Sequence, residues 1–190
     1  MLRSALPFSL LLLAACATAP YQGDAKSSGQ VKHISVLVGQ RELADNDAKD
    51  LNVDSQLALG VEFDSYGAES GSGFEVGVSQ SSDDNSVPGG KIDVEFTEVY
   101  LGFRQTFMPE RNLHPYVGGG ATYIQGKFDA GPSDDDTDLA PYLHAGVLWD
   151  LGKRLRLGLD YRMVWAGFDI FGGSADGDYQ QLALSLGFGF

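Results

Sequence analysis

Seven charged residues at recurring positions invite a chemical reading first: Glu62, Glu75, Glu98, Arg104, Arg156, Asp160 and Arg162. Each falls on the polar side of a segment that alternates apolar with polar residues. On a strand they would therefore point the same way as their glycine, alanine and serine neighbours. Charges of both signs on one confined face are tolerated when paired and costly when alone. Two readings stay open: a satisfied polar plug, or a gate whose ion pairs open and close a narrow channel. Catalysis finds less support. Of His33, His114 and His144, only His33 has a serine two residues on, in His33-Ile34-Ser35. That spacing suits a base beside a nucleophile, but the pair starts a strand and is expected on its inner face. The run Asp134-Asp135-Asp136, with Asp129 and Asp138, offers oxygen ligands to a divalent cation. It lacks the spaced ligands and turn glycine of a dedicated calcium loop, so solvation of an external loop is the alternative. No cofactor motif is present.

The elements that must position these groups are strands. The segment from Asp178 to Phe190 sets Leu182, Leu184, Leu186, Phe188 and Phe190 against Tyr179, Gln181, Ala183, Ser185, Gly187 and Gly189. One face is greasy and the other small and polar, as expected of a strand that faces lipid and closes a barrel. Seven more alternating segments precede it, at about 31–41, 53–64, 72–81, 92–107, 114–128, 140–150 and 154–167. The last sets Leu155, Leu157, Leu159, Tyr161, Met163 and Trp165 against Arg156, Gly158, Asp160 and Arg162. The segment at 114–128 has the least certain register, because Gly118-Gly119-Gly120 specifies neither face. A soluble lipocalin-like barrel would also alternate, but it would carry long charged side chains outside. Here the polar face is mostly small, which suits the interior of an eight-stranded barrel that side chains fill.

The connections alternate in character. Phe63–Gly73, Met108–Leu113 and Asp150–Lys153 read as periplasmic turns; Asp45–Asn52, Ser82–Lys91, Asp129–Asp138 and Asp169–Asp178 read as external loops. Strand direction then sets Phe63, Phe107, Trp149, Phe188 and Phe190 near the periplasmic rim and Trp165 near the external one, where aromatic girdles belong.

The 190 residues carry a formal net charge of −13, which argues against nucleic acid, and 25 glycines, which weaken a helical reading. Residues 1–15 read as a signal peptide: a basic Met1-Leu2-Arg3, then an apolar Leu6–Leu13 far shorter than the roughly 20 residues of a spanning helix. It ends in Leu13-Ala14-Ala15-Cys16, which resembles the lipobox of bacterial lipoproteins. The resemblance implies that Cys16 becomes the mature N-terminus and carries lipid, with 16–29 as a tether and 30–190 as the barrel domain. The other reading is a cut by the ordinary peptidase after Ala17-Thr18-Ala19. A lone cysteine excludes an intramolecular disulfide.

Thr97-Glu98-Val99-Tyr100-Leu101-Gly102-Phe103-Arg104, His114-Pro115-Tyr116-Val117-Gly118-Gly119-Gly120 and the closing Phe190 resemble small eight-stranded barrels of the OmpA transmembrane-domain and OmpX type. The expected fold is therefore all-β: an eight-stranded antiparallel up-and-down transmembrane barrel. The expected setting is the bacterial outer membrane, with loops outside and the tether in the periplasm. The expected partners are outer-membrane lipid and lipopolysaccharide, with divalent cations, and the chain is expected to be monomeric. The expected role is non-catalytic, structural or adhesive, through acidic external loops. The alternatives are a narrow gated pore and an enzyme that modifies lipid A.

Overall fold

A sheet with one wholly apolar face and one polar face must bury one of them, and closing on itself is one way to do so without leaving edges. The computed structural model describes residues 29–44, 55–87, 90–129, 133–170 and 173–190. Its strands are β1 (Gln30–Leu43), β2 (Ser55–Gly67), β3 (Ser72–Val87), β4 (Gly90–Thr106), β5 (Leu113–Asp129), β6 (Ser133–Leu151), β7 (Leu155–Val164), β8 (Gly167–Ile170), β9 (Gly173–Asp176) and β10 (Tyr179–Gly189). Eight of them close into an antiparallel barrel in the order β1-β10-β7-β6-β5-β4-β3-β2. The seam joins the first strand to the last, with Val38 opposite Leu184. No helix among the described residues is long and apolar enough to cross a membrane, and none is needed, since each of the eight barrel strands finds partners on both sides.

The apolar face points outward. Leu57 and Leu101 are each 62% exposed, Leu184 60% and Phe103 79%. A full belt of such side chains has its natural solvent in lipid. The belt is uneven: outward apolar residues run from Ile34 to Val38 on β1, but from Leu139 to Leu151 on β6.

One end of the barrel carries short turns. Gly71 and Gly152 take positive φ there (67° and 81°), a backbone region that favours glycine. The other end projects. The β3–β4 ladder continues to Val87 opposite Gly90, and the β5–β6 ladder to Asp129 opposite Ser133. This corrects two expected loops. Segments 82–91 and 129–138 are mostly strand, because polar residues on both faces conceal the period of two while leaving backbone pairing intact. Asp134, Asp135 and Asp136 accordingly lie in β6, where neighbours alternate faces, and not in a loop that could wrap an ion. Among the described residues, no group of three or more His, Cys, Asp or Glu side chains is placed to hold a metal.

The expected loop at 169–178 also contains a hairpin, β8–β9. It is tied to β6: Asp169 N–H donates to Asp136 Oδ2 (2.6 Å) and Gly167 N–H to Asp138 Oδ2 (2.9 Å). Phe168 turns inward against Phe96 (ring centroids 5.7 Å apart) and Phe128 (6.3 Å). These rings, with Leu43, Val94, Ile124, Ala140 and Val164, form an apolar cap inside the long-hairpin end. The inner face is therefore not uniformly small and polar. Cys16 and the tether up to residue 28, like Asp45, Asp47 and Asp50, lie outside the described residues.

Candidate functional site

Below the apolar cap, inward positions of all eight barrel strands bring charged and phenolic side chains together along the axis. Arg41 on β1 forms the first cluster. Its Nη2 lies 2.5 Å from Glu98 Oε1, and its guanidinium stacks 3.9 Å from the centroid of Tyr179. Tyr179 OH donates back to Glu98 (2.7 Å), and Gln181 Oε1 accepts from Arg41 (3.2 Å). Arg41 and Glu98 are both fully buried.

The second cluster is centred on Arg104. Its Nη2 reaches both Glu62 Oε1 (2.6 Å) and Glu75 Oε2 (2.7 Å). Tyr100 OH donates to Glu62 (3.0 Å) and Tyr142 OH to Glu75 (2.7 Å). His144 sits between two carboxylates, with Nε2 2.9 Å from Glu75 and Nδ1 2.9 Å from Asp160. The Nδ1–Asp160 contact has hydrogen-bond geometry, whereas the Nε2–Glu75 contact is one of proximity. Tyr116 OH also bonds Asp160. Arg162 is held differently. Its nearest carboxylate, Glu62, is 3.8 Å away, and its guanidinium lies over Tyr100 (3.9 Å) and Tyr142 (4.8 Å).

The third cluster lies toward the short-turn end. Arg156 Nε donates to Asp150 Oδ1 (2.6 Å) and Nη2 to Tyr66 OH (2.6 Å), while Asp64 stands 3.8 Å off. His114 Nε2 is 2.9 Å from Asp150 Oδ2. His33 and Ser35 both face the interior and are buried, and His33 Nδ1 lies 3.1 Å from Arg156 Nη1. The His33 Nδ1 is thus engaged by Arg156 and lies 3.7 Å from Asp64, not paired with Ser35.

Glycine makes these clusters possible. A Cβ on Gly102 would stand 2.2 Å from Tyr142 Oη, and one on Gly77 would stand 2.3 Å from the Tyr100 ring. The small residues of the inner face are floors for large neighbours, not lumen. All seven charged residues singled out in the sequence point inward and are buried. Arg41, Asp64, Tyr66 and Tyr116 join them unforeseen, and Tyr100, Tyr142 and Tyr179, already on the inner face by parity, turn out to be their partners. Parity was the available signal: Arg41 is out of phase with Ile34, Val36 and Val38, and Asp64 is in phase with Glu62.

The family described as "outer membrane protein beta-barrel domain" has a model that matches residues 8–190. The chain belongs to this family. It is a transmembrane β-barrel of the outer membrane. No curated protein matches the sequence. Among solved structures, Neisserial surface protein A is 12% identical, with 86% of this chain and 98% of that one covered and a TM-score of 0.64. Ail, the attachment invasion locus protein of Yersinia pestis, is 14% identical, with 85% and 97% covered and a TM-score of 0.56. The N-terminal β-barrel domain of Pseudomonas aeruginosa OprF is 11% identical, with 83% and 97% covered and a TM-score of 0.53. At such identity the likeness is one of fold. For this outer-membrane barrel, the function must be argued from its own interior and rim.

Proposed function

We propose that this outer-membrane barrel is a non-catalytic, monomeric surface protein whose interior is a plug and whose long hairpins do the work. The observation that supports it is the filled axis: an apolar cap of Phe96, Phe128 and Phe168 above three stacked ion-pair clusters. A channel needs water along its axis, and a hydrolase needs an accessible nucleophile. The long-hairpin end is taken to face outside and the short-turn end the periplasm. That end is acidic: Asp83, Asp84, Asp93, Glu95 and Asp129 surround Lys127 in a cleft of about 380 Å³ between the β3–β4 and β5–β6 hairpins. Lipopolysaccharide phosphates on the same surface are also negative, so close approach calls for divalent cations gathered diffusely, at affinities on the order of millimolar. An Ail structure was solved with sucrose octasulfate, a heparin analogue. A polyanion of that kind is a poor fit to an acidic rim, and a cationic or cation-bridged surface partner is a better one. Cys16 carries lipid in this reading and holds the tether in the periplasmic leaflet.

The test is conductance of the purified protein in planar bilayers, alongside fatty-acid release from lipopolysaccharide. A silent bilayer with no release supports the plug. Discrete conductance steps would favour the narrow pore, and released fatty acid the lipid A enzyme. Shortening the hairpins across 82–91 or 129–138 should abolish surface attachment while leaving a folded barrel.

A further inference from the structure

The height of the apolar belt can be measured strand by strand. Following backbone partners once round the closed barrel leads from Thr97 to Phe107 of the same strand. For eight strands, a stagger of that size tilts each strand by about 40°, so each residue rises about 2.5 Å along the barrel axis. On β6 the outward apolar residues run from Leu139 to Leu151, and from β7 onward they run from Leu155 to Trp165. These runs are about 30 Å and 25 Å tall, enough for a lipid-facing band of about 25 Å. On β1, β3 and β4 the unbroken runs are 34–38, 74–78 and 99–103, only about 10 Å each. On β2 the run is 57–63, and its last member, Phe63, is half-buried. One wall of the barrel, β1 to β4, is therefore too short for the band that the opposite wall spans.

Polar side chains bound the short runs on the same outward face: Lys32 and Gln40 on β1, Ser72 and Gln80 on β3, Thr97 and Gln105 on β4. Several are engaged with neighbours within the chain. Gln40 Nε2 donates to Ser55 Oγ (2.6 Å), Gln80 Nε2 to Glu95 Oε1 (2.7 Å) and Ser72 Oγ to Gln105 Oε1 (2.5 Å). A wall built to meet another protein would offer such groups to the partner. Here they are turned to one another, and the surface between them is apolar, with Leu101 and Phe103 exposed. Lipid is the partner that this surface fits. A hydrocarbon layer of full height would bury Lys32, Ser72 and Gln105 at one end or Gln40 and Gln80 at the other. Stripping water from such groups costs more than compressing acyl chains, whose mismatch penalty is small for each ångström. Tilting the barrel gives no escape, because it shifts both walls without changing the height of either.

We propose that the β1–β4 wall thins the bilayer it touches, so that the barrel holds a thin membrane on one side and a full one on the other. The lipid yields, because it is the softer partner. This inference is independent of which end of the barrel faces outside, and of what the hairpins bind.

The experiment uses the full chain carrying Cys16→Ser, reconstituted in dioleoylphosphatidylcholine bilayers. A nitroxide is attached through a cysteine introduced at one outward position at a time, from Ser72 to Ser82 on β3 and from Leu155 to Trp165 along β7. Each labelled chain is first shown to keep its heat-dependent gel mobility, so that loss of fold is not read as a change of depth. Power saturation then compares relaxation by oxygen, which concentrates in hydrocarbon, with relaxation by a neutral nickel chelate, which stays in water. Oxygen should dominate at only three outward positions of β3 (Phe74, Val76 and Val78), with the nickel chelate dominant at Ser72 and Gln80. On β7 oxygen should dominate at five or more. Stretches of equal length on the two strands, whether long or short, would overturn the proposal. So would positions 74–78 closed to both reagents, since a second copy of the chain would then cover the wall.

Discussion

Arg104 illustrates how the interior is stabilised one side chain at a time. Its Nη2 answers two buried carboxylates, Glu62 and Glu75, so Arg104→Ala would strand both. Removing one partner of a buried pair costs about 3–5 kcal/mol, most of it from the charge left behind. Arg162 leans on Tyr100 and Tyr142 more than on any carboxylate. Arg162→Ala should therefore destabilise the barrel less than Arg104→Ala. Urea midpoints in detergent check the order; equal midpoints would mean that Arg104 is solvated and the axis open. The glycines that floor the tyrosines give a second expectation at this scale. Gly102→Ala puts a methyl 2.2 Å from the Tyr142 oxygen and 2.7 Å from the Gly119 carbonyl, and backbone does not give way easily. The substitution should destabilise by about 1–3 kcal/mol, and pairing it with Tyr142→Phe should recover part of the loss.

The β8–β9 hairpin is the element whose docking matters most to the plug. It is held by Phe168 in the apolar cap and by the N–H bonds from Gly167 and Asp169 to Asp138 and Asp136. Phe168→Ala removes a buried ring from that cap, at a cost of about 3–5 kcal/mol. If the cap is what blocks the axis, bilayer current should also become noisier. The polar tie titrates. Backbone N–H groups of Asp169 and Thr137 hold the Asp136 carboxyl below its ordinary value of 3.8. A lowered folded value means the tie is fully present above that ordinary value and is lost as pH falls through the lowered one. Protection of the Asp169 amide relative to its intrinsic exchange rate should therefore fall on strong acidification, and Asp136→Ala should show the low protection at neutral pH.

At the scale of the whole molecule, closure dominates. The seam between β1 and β10 leaves no free edge, so the barrel should resist detergent until heated, and unboiled protein should migrate apart from boiled protein on a denaturing gel. A single band would be incompatible with a closed barrel. The uneven belt has a consequence of its own. With apolar residues from Ile34 to Val38 on β1 and from Leu139 to Leu151 on β6, the two sides ask for different bilayer thicknesses. The structure should therefore be best protected from exchange in thin bilayers on the β1–β4 side, where a thick one would cover Gln40 and Gln80.

The barrel itself was legible in the sequence because lipid imposes a strict period of two. Every outward position from Leu155 to Met163 had to be apolar, and every inward one had to fit a narrow core. The seven charged residues followed from the same parity. Parity runs out where both faces meet water: beyond Ser82, Gly126 and Ala140 polar residues no longer alternate, and paired strands read as loops. It also says which way a side chain points, but not what it meets. Only closure brings Arg41 of the first strand to Glu98 of the fourth and Phe168 to Phe96. These partners lie on different strands and touch across the axis, so their spacing in the chain holds no trace of the contact. The tertiary structure decided that the small face is a floor for tyrosines, and which charged side chains of different strands meet inside the barrel.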